Sequence, residues 1–168
     1  HNMVLVLAGN VNTDDVLAVA DELLKPCDNM ELETVFPYEP YEIVQREVHE
    51  HLPVGSPIFN IGIKCRPLSG FDRLKANMES YLAGSVISDP SAPFCKKLMD
   101  EGLINSTFGF EVFDGDGFFT LIFSGESSDP KRVLSELIDE IERVKTQGLD
   151  RQLFDNIKKS TYGSAIME

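Results

Sequence analysis

A chain of 168 residues, 42% of them hydrophobic, is long enough to bury a core and short enough for one domain with an appendage. With 28 acidic against 15 basic residues, its formal net charge of -13 repels phosphate backbones, so no nucleic-acid partner is expected; the acidic surface reads either as attraction for cationic peptides or simply as solubility. No apolar run approaches the ~18 residues of a membrane helix, and the N-terminus lacks the flanks of a signal peptide, so a soluble chain with no membrane partner is expected.

The opening stretch NMVLVLAGNVNTDDVLAVADELLK predicts a continuous apolar strand over Met3–Ala8, a turn at Gly9 and Asn10, and an amphipathic helix. Asn12 or Thr13 can cap the helix, and Asp14 and Asp15 suit its positive N-terminal end. Val16, Leu17, Val19, Ala20, Leu23 and Leu24 form a broad stripe that ends at Pro26. This is one βα unit, and it cannot bury both faces of its strand alone. A single glycine, Gly9, is too little for a nucleotide-binding fingerprint.

Residues 26–56 carry Pro26, Pro37, Pro40 and Pro53 and read as a linker, with one alternating piece, EIVQREVHEH, that reads as a strand. In such a strand His49 and His51 share a face with Glu47, a geometry zinc can use. Zinc wants three or four converging ligands, however. The remaining histidine is His1 and no cysteine stands close in sequence, so a solvated edge strand is the stronger reading. No metal ligand and no catalytic residue is expected in this chain. Cys27, Cys65 and Cys95 are odd in number and far apart, which fits neither a disulfide framework nor a paired-thiolate metal site and points to a reducing, cytoplasmic setting.

From Pro57 the pattern is dense. IFNIGIKC alternates, placing Phe59, Ile61 and Ile63 inward and Asn60, Gly62 and Lys64 outward. SGFDRLKANMESYLAGSVIS predicts a helix with Phe71, Leu74, Met78, Tyr81, Leu82 and Val86 near helical spacing, and FCKKLMDEG a short one closed by Gly102. In FEVFDGDGFFTLIFSGES two strand-like runs flank an Asp-Gly turn, the signal of a tight hairpin. A calcium loop starting at Asp114 would need oxygen ligands where Phe118 and Gly125 stand. SDPKRVLSELIDEIERVKTQG predicts a helix capped by Ser128, with Val133, Leu134, Leu137, Ile138, Ile141 and Val144 inward and Gly148 after its end. A last helix starts near Asp150 and reaches the final residue.

After the linker the order is strand, helix, helix, strand, hairpin strand, helix, helix. The hairpin makes an antiparallel sheet, and one-sided helices must pack on one of its faces, so the expected fold class is α+β, a two-layer sandwich. The opening βα unit, the Pro-rich linker, SDPSAPFCKKLMDEGLINSTFGFEVF and FFTLIFSGESSDPKRVLSELIDEIERV together resemble, in order, the pitrilysin/insulinase family of inverted-motif zinc peptidases. The resemblance covers nearly the whole chain. It implies a last strand and helix of a preceding lobe over 1–25, an interlobe linker over 26–56, and most of a second, C-terminally truncated lobe over 57–168.

The resemblance also implies a function. Family members pair two similar lobes around a chamber, and a zinc site in the first lobe, His-x-x-Glu-His with a later Glu, cleaves peptides that enter. That motif is missing here, so zinc is expected in the parent enzyme and no cofactor in this chain. Its expected partners are the catalytic lobe, on the same polypeptide or a companion subunit, and a peptide substrate. The family's second lobe holds substrate with an Arg and a Tyr in a Leu-Arg and Gly-Tyr pattern. Here Met99 follows Leu98 and the downstream aromatics are Phe108 and Phe110, so those two roles do not transfer. The candidate peptide-contacting residues are Asn60, Gly62, Lys64, Phe108 and Phe110. Rival readings are a peptidase-derived scaffold or assembly subunit without proteolytic activity and an unrelated ferredoxin-like binding module.

Overall fold

The computed structural model describes residues 4–25, 33, 35 and 38–167, which divide between two compact units, His1–Pro37 and Tyr38–Glu168. Within the first, helix α1 spans Thr13–Leu23. Asn12 caps it: its Oδ1 accepts the Asp14 N–H at 2.9 Å, and Asp14 and Asp15 fill the positive first turn. The expected opening strand is not formed among its described residues, Val4–Ala8; Met3 lies outside them. Val4 is 88% exposed and Val6 81%. A strand exists only against a neighbour that takes its N–H and C=O groups, and the described residues of this unit supply none. Leu5, Leu7, Val16, Val19, Leu23 and Leu24 line an open apolar groove of about 480 Å³.

The second unit holds a three-stranded antiparallel sheet of β1 (Ile58–Cys65), β2 (Gly109–Gly115) and β3 (Phe118–Glu126), in the order β1-β3-β2. The hairpin between β2 and β3 turns over Asp116 and Gly117, and only the glycine takes a positive φ, 89°. Ile61 on β1, Phe123 on β3 and Phe110 on β2 stand in one register row, which sets the inner face. The alternating piece EIVQREVHEH, expected as a strand, is irregular and has no ladder partner among the described residues. It has the period of a strand but no edge to pair with.

Helices α2 (Gly70–Ser88), α3 (Pro93–Asp100) and α4 (Pro130–Gln147) bury Ile87, Phe94, Cys95, Leu98, Val133 and Leu137 with Phe59, Phe108 and Phe123 of the sheet segment. The class is α+β with the helices on one face, as the pattern predicts. Helix α5 (Arg151–Met167) lies against α2 and has no fully buried residue. The α3 end is a Schellman motif: Leu103 N–H reaches Leu98 C=O at 2.8 Å, Gly102 N–H reaches Met99 C=O at 2.9 Å, and Gly102 has φ 66°. Leu98 and Leu103 join the same core.

Two local expectations are corrected, both on α4. Asp129, not Ser128, caps α4 through its Oδ1 and the Arg132 N–H, while the buried Ser127 hydroxyl accepts the Asp129 N–H. Leu134 and Ile138, expected inward, are 40% and 51% exposed, because only the narrower Val133, Leu137, Ile141, Val144 stripe packs into the core. On α2, burial is confined to its C-terminal half: Gly84, Val86 and Ile87 are buried while Phe71, Leu74, Met78 and Tyr81 remain exposed.

Candidate functional site

The sheet's outer face is the surface that sequence alternation singles out. Strand β1 turns Phe59, Ile61 and Ile63 to the helices, so Asn60, Gly62 and Lys64 point away from them. Across the ladder Asn60 pairs with Ser124, Gly62 with Ile122 and Lys64 with Thr120; on the far side of β3, Glu111 pairs with Ile122 and Phe113 with Thr120. Asn60, Gly62, Glu111 and Phe113 are solvent-exposed, so the helices leave this face open. A Cβ built on Gly62 would meet only the Thr120 methyl, at 3.8 Å, an ordinary contact. The glycine thus leaves a shallow shelf in the face without any steric demand for it.

Lys64 is not a free cation. Its Nζ donates to the Glu39 carboxylate and, at 2.5 Å, to the Pro40 carbonyl oxygen. Beside it the Arg66 guanidinium stands 5.9 Å from the centre of the Tyr41 ring. Glu39, Pro40, Tyr41 and Arg66 were not singled out by the sequence, because a contact 25 residues apart leaves no local period. Alternation in FFTLIFSGE does, by contrast, identify Thr120, Ile122 and Ser124 as a set sharing one face.

The five candidate residues do not converge. Asn60, Gly62 and Lys64 share the outer face, whereas Phe108 and Phe110 lie with the helices. Phe108 is 6% exposed, and its ring is within 6.3 Å of those of Phe59, Phe94 and Phe123. Phe110 packs on Phe123 at 4.7 Å and against Gly84 of α2. The cause is register: Phe110 opposes Phe123, and Phe108, two residues earlier, takes the same side. The alternation Phe108, Phe110, Val112 around exposed Glu111 carries that signal in the sequence.

Zinc does not fit the His49 region. His49 Nε2 meets Glu47 Oε1 at 2.9 Å, and Glu47 also meets Lys131 Nζ at 3.2 Å, all at the surface. The Glu47 carboxyl is held below its ordinary value, first by the Lys131 hydrogen bond and then by His49. Two converging donors are too few, and no group of three or more His, Cys, Asp or Glu side chains stands together among the described residues. No described helix is long and apolar enough to cross a membrane.

Two further groups, Asp114 and Cys95, are tied into the packing. Asp114, on the inner side of β2, accepts Arg73 Nε at 2.7 Å and Asn77 Nδ2 at 2.8 Å, while Arg73 Nη1 reaches Asp116 at 2.8 Å, so α2 is clamped to the hairpin turn. Cys95 is fully buried, donates to Ile87 C=O at 3.3 Å, and has its pKa pushed up to about 12, chiefly by burial and further by the charges of Asp89 and Glu140.

Comparison with known proteins agrees with this architecture. The family model described as the peptidase M16 inactive domain matches residues 1–161. No curated protein matches the chain in sequence. A crystal structure described as a putative M16-like peptidase from Alicyclobacillus acidocaldarius superposes with a TM-score of 0.71 at 21% identity, over 95% of this chain and 38% of that one. The likeness at that identity is one of fold, and the present chain spans well under half the length of that relative. From the match over residues 1–161, the chain belongs to the M16 family, the pitrilysin/insulinase peptidases, and is of its non-catalytic, C-terminal type.

Proposed function

We propose that this chain is the non-catalytic portion of a chamber-forming zinc metallopeptidase, enclosing and binding peptide while a catalytic lobe, on the same polypeptide or a companion subunit, hydrolyses it. The observation that carries the reading is the match to the inactive domain of a peptidase family over nearly the whole chain. The outer sheet face supports it: open to solvent, it sets polar Asn60, Thr120 and Ser124 beside Ile122 and exposed Phe113, with a shelf at Gly62, and so offers both hydrogen bonds and apolar contact to varied peptides. In this reading residues 1–25 complete a preceding lobe, 26–56 link the lobes, and 57–168 are most of the second. The zinc belongs to the catalytic lobe, and the setting is cytoplasmic, in keeping with the free Cys65 and Cys95.

The test replaces Asn60 with Trp and Lys64 with Glu in the peptidase assembled with its catalytic lobe. Peptide affinity and preference should change while the fold, followed by circular dichroism, stays intact. Unchanged affinity and turnover would remove the outer face from the substrate path, and an assembled protein that cleaves no peptide would favour a scaffold subunit of the same descent. Stoichiometric zinc on this chain, lost in the H49A/H51A variant, would overturn the assignment of the metal to the other lobe.

A further inference from the structure

The segment Glu39–Tyr41 covers part of the outer sheet face at Lys64. It approaches the C-terminal end of β1, placing a carboxylate and a backbone carbonyl on Lys64 and an aromatic ring on Arg66. The Lys64 side chain is only 23% exposed in consequence, although it lies on the open face, while Tyr38 is 87% exposed and Tyr41 48%. The contacts are few and superficial, and the described residues 38–57 contain no helix or strand that would lock them. Such a contact can open. Lys64 and Arg66, two positions apart, put two cations beside each other at this end of the strand.

We infer that Glu39–Tyr41 is a displaceable strap, and that the surface beneath it, Lys64 and Arg66 with the neighbouring outer rows of β1 and β3, receives an extended acidic peptide carrying Glu and, two residues on, an aromatic side chain. The inference rests on the proposed reading that the outer face meets peptide, and it adds both a class of ligand and an internal competitor for it. Recognition has three parts. Lys64 takes the ligand's carboxylate and one main-chain carbonyl, Arg66 stacks on its ring, and the shelf at Gly62 admits its backbone. The strap and the ligand share one site, so each excludes the other. Because the strap is tethered, it competes at a fixed effective concentration that no dilution removes.

The experiment is a titration of the isotopically labelled whole chain with the peptide Tyr-Glu-Pro-Tyr-Glu, followed by amide chemical shifts. In an E39A/Y41A variant the peptide should shift signals of 60–66 and 120–124. Half-saturation should come at a peptide concentration about five- to tenfold lower than in the unaltered chain, the scale of one exposed ion pair plus one cation–π contact. Adding K64Q and R66Q to that variant should abolish the shifts, and the peptide Tyr-Gln-Pro-Leu-Gln should cause none. Equal half-saturation with and without the strap side chains, shifts centred elsewhere, or no shifts in E39A/Y41A would overturn the inference; dispersed spectra confirm that each variant is folded. This binding readout involves no turnover. Its failure alongside altered substrate preference in the assembled Asn60 and Lys64 variants therefore sinks the strap alone, whereas failure of both sinks the reading of the face.

Discussion

Gly84 is where α2 meets the sheet, and replacing it with alanine probes the packing that holds the inner face closed. On an exposed helix the change would stabilise the protein by about 0.8–1.0 kcal/mol, since glycine is the poorer helix former. Here the added Cβ would lie 2.2 Å from Cε1 and 2.3 Å from Cζ of Phe110. Carbon atoms in contact prefer about 3.5–4.0 Å, so ring or helix must move by more than ~1 Å. The ring has little room, because it packs on Phe123, itself 2% exposed, at 4.7 Å. Overpacking costs about 1–3 kcal/mol, and an overlap this deep, at 2.2 Å, belongs at the upper end of that range, which outweighs the helix gain. The expected result for G84A is a net loss of about 1–2 kcal/mol, read as a fall of roughly 3–6 °C in Tm. Urea denaturation followed by far-UV circular dichroism measures it. F110L removes Cε1 and Cζ, two of the three ring atoms that clash, so in the G84A/F110L double variant part of the loss should be recovered, with a coupling of about 1 kcal/mol. A more stable G84A, or strictly additive losses in the double variant, would refute the steric argument.

Cys95 should resist alkylation at pH 8 in the native chain while Cys65, half-buried, reacts slowly, as mapped by mass spectrometry; rapid Cys95 labelling without unfolding would contradict its burial. Its pKa is raised from 9.0 to about 12, so the unfolded chain loses the thiol proton first, and the stability this group contributes, full below pH 9, should decline as pH rises from there towards 12. R73A should destabilise by about 1–2 kcal/mol, because it strips a charged partner from Asp114, whose side chain is 14% exposed, whereas D116N at a 65% exposed side chain should change stability by less than about 0.5 kcal/mol; equal effects would count against the clamp. Amides of Val4–Leu7 should exchange with solvent quickly in a demonstrated monomer and slow down when the catalytic lobe is present, and strong protection in the monomer would argue against a missing partner sheet.

The elements of this protein were legible wherever a short-range period or a local stereochemical demand specifies them. The alternation of IFNIGIKC, the Asp-Gly turn before β3, the helix of SDPKRVLSELIDEIERVKTQG and the glycine ending α3 each depend on residues within a few positions of one another, and each stands in the structure where the pattern puts it. So did the α+β class, because a hairpin and one-sided helices leave few other ways to bury their apolar faces. What the tertiary structure alone decided is which periodic segments find a partner. Among the described residues, Val4–Ala8 has the composition of a strand and no neighbour, and EIVQREVHEH has the alternation and no edge. Leu134 and Ile138 belong to a helical stripe wider than the core that receives it. Phe108 and Phe110 went to the core because the register with β3 turns them to the inner face of the sheet, and Lys64 lost its freedom to a carboxylate 25 residues away. Burial and pairing are properties of two surfaces at once, and a linear pattern describes only one of them.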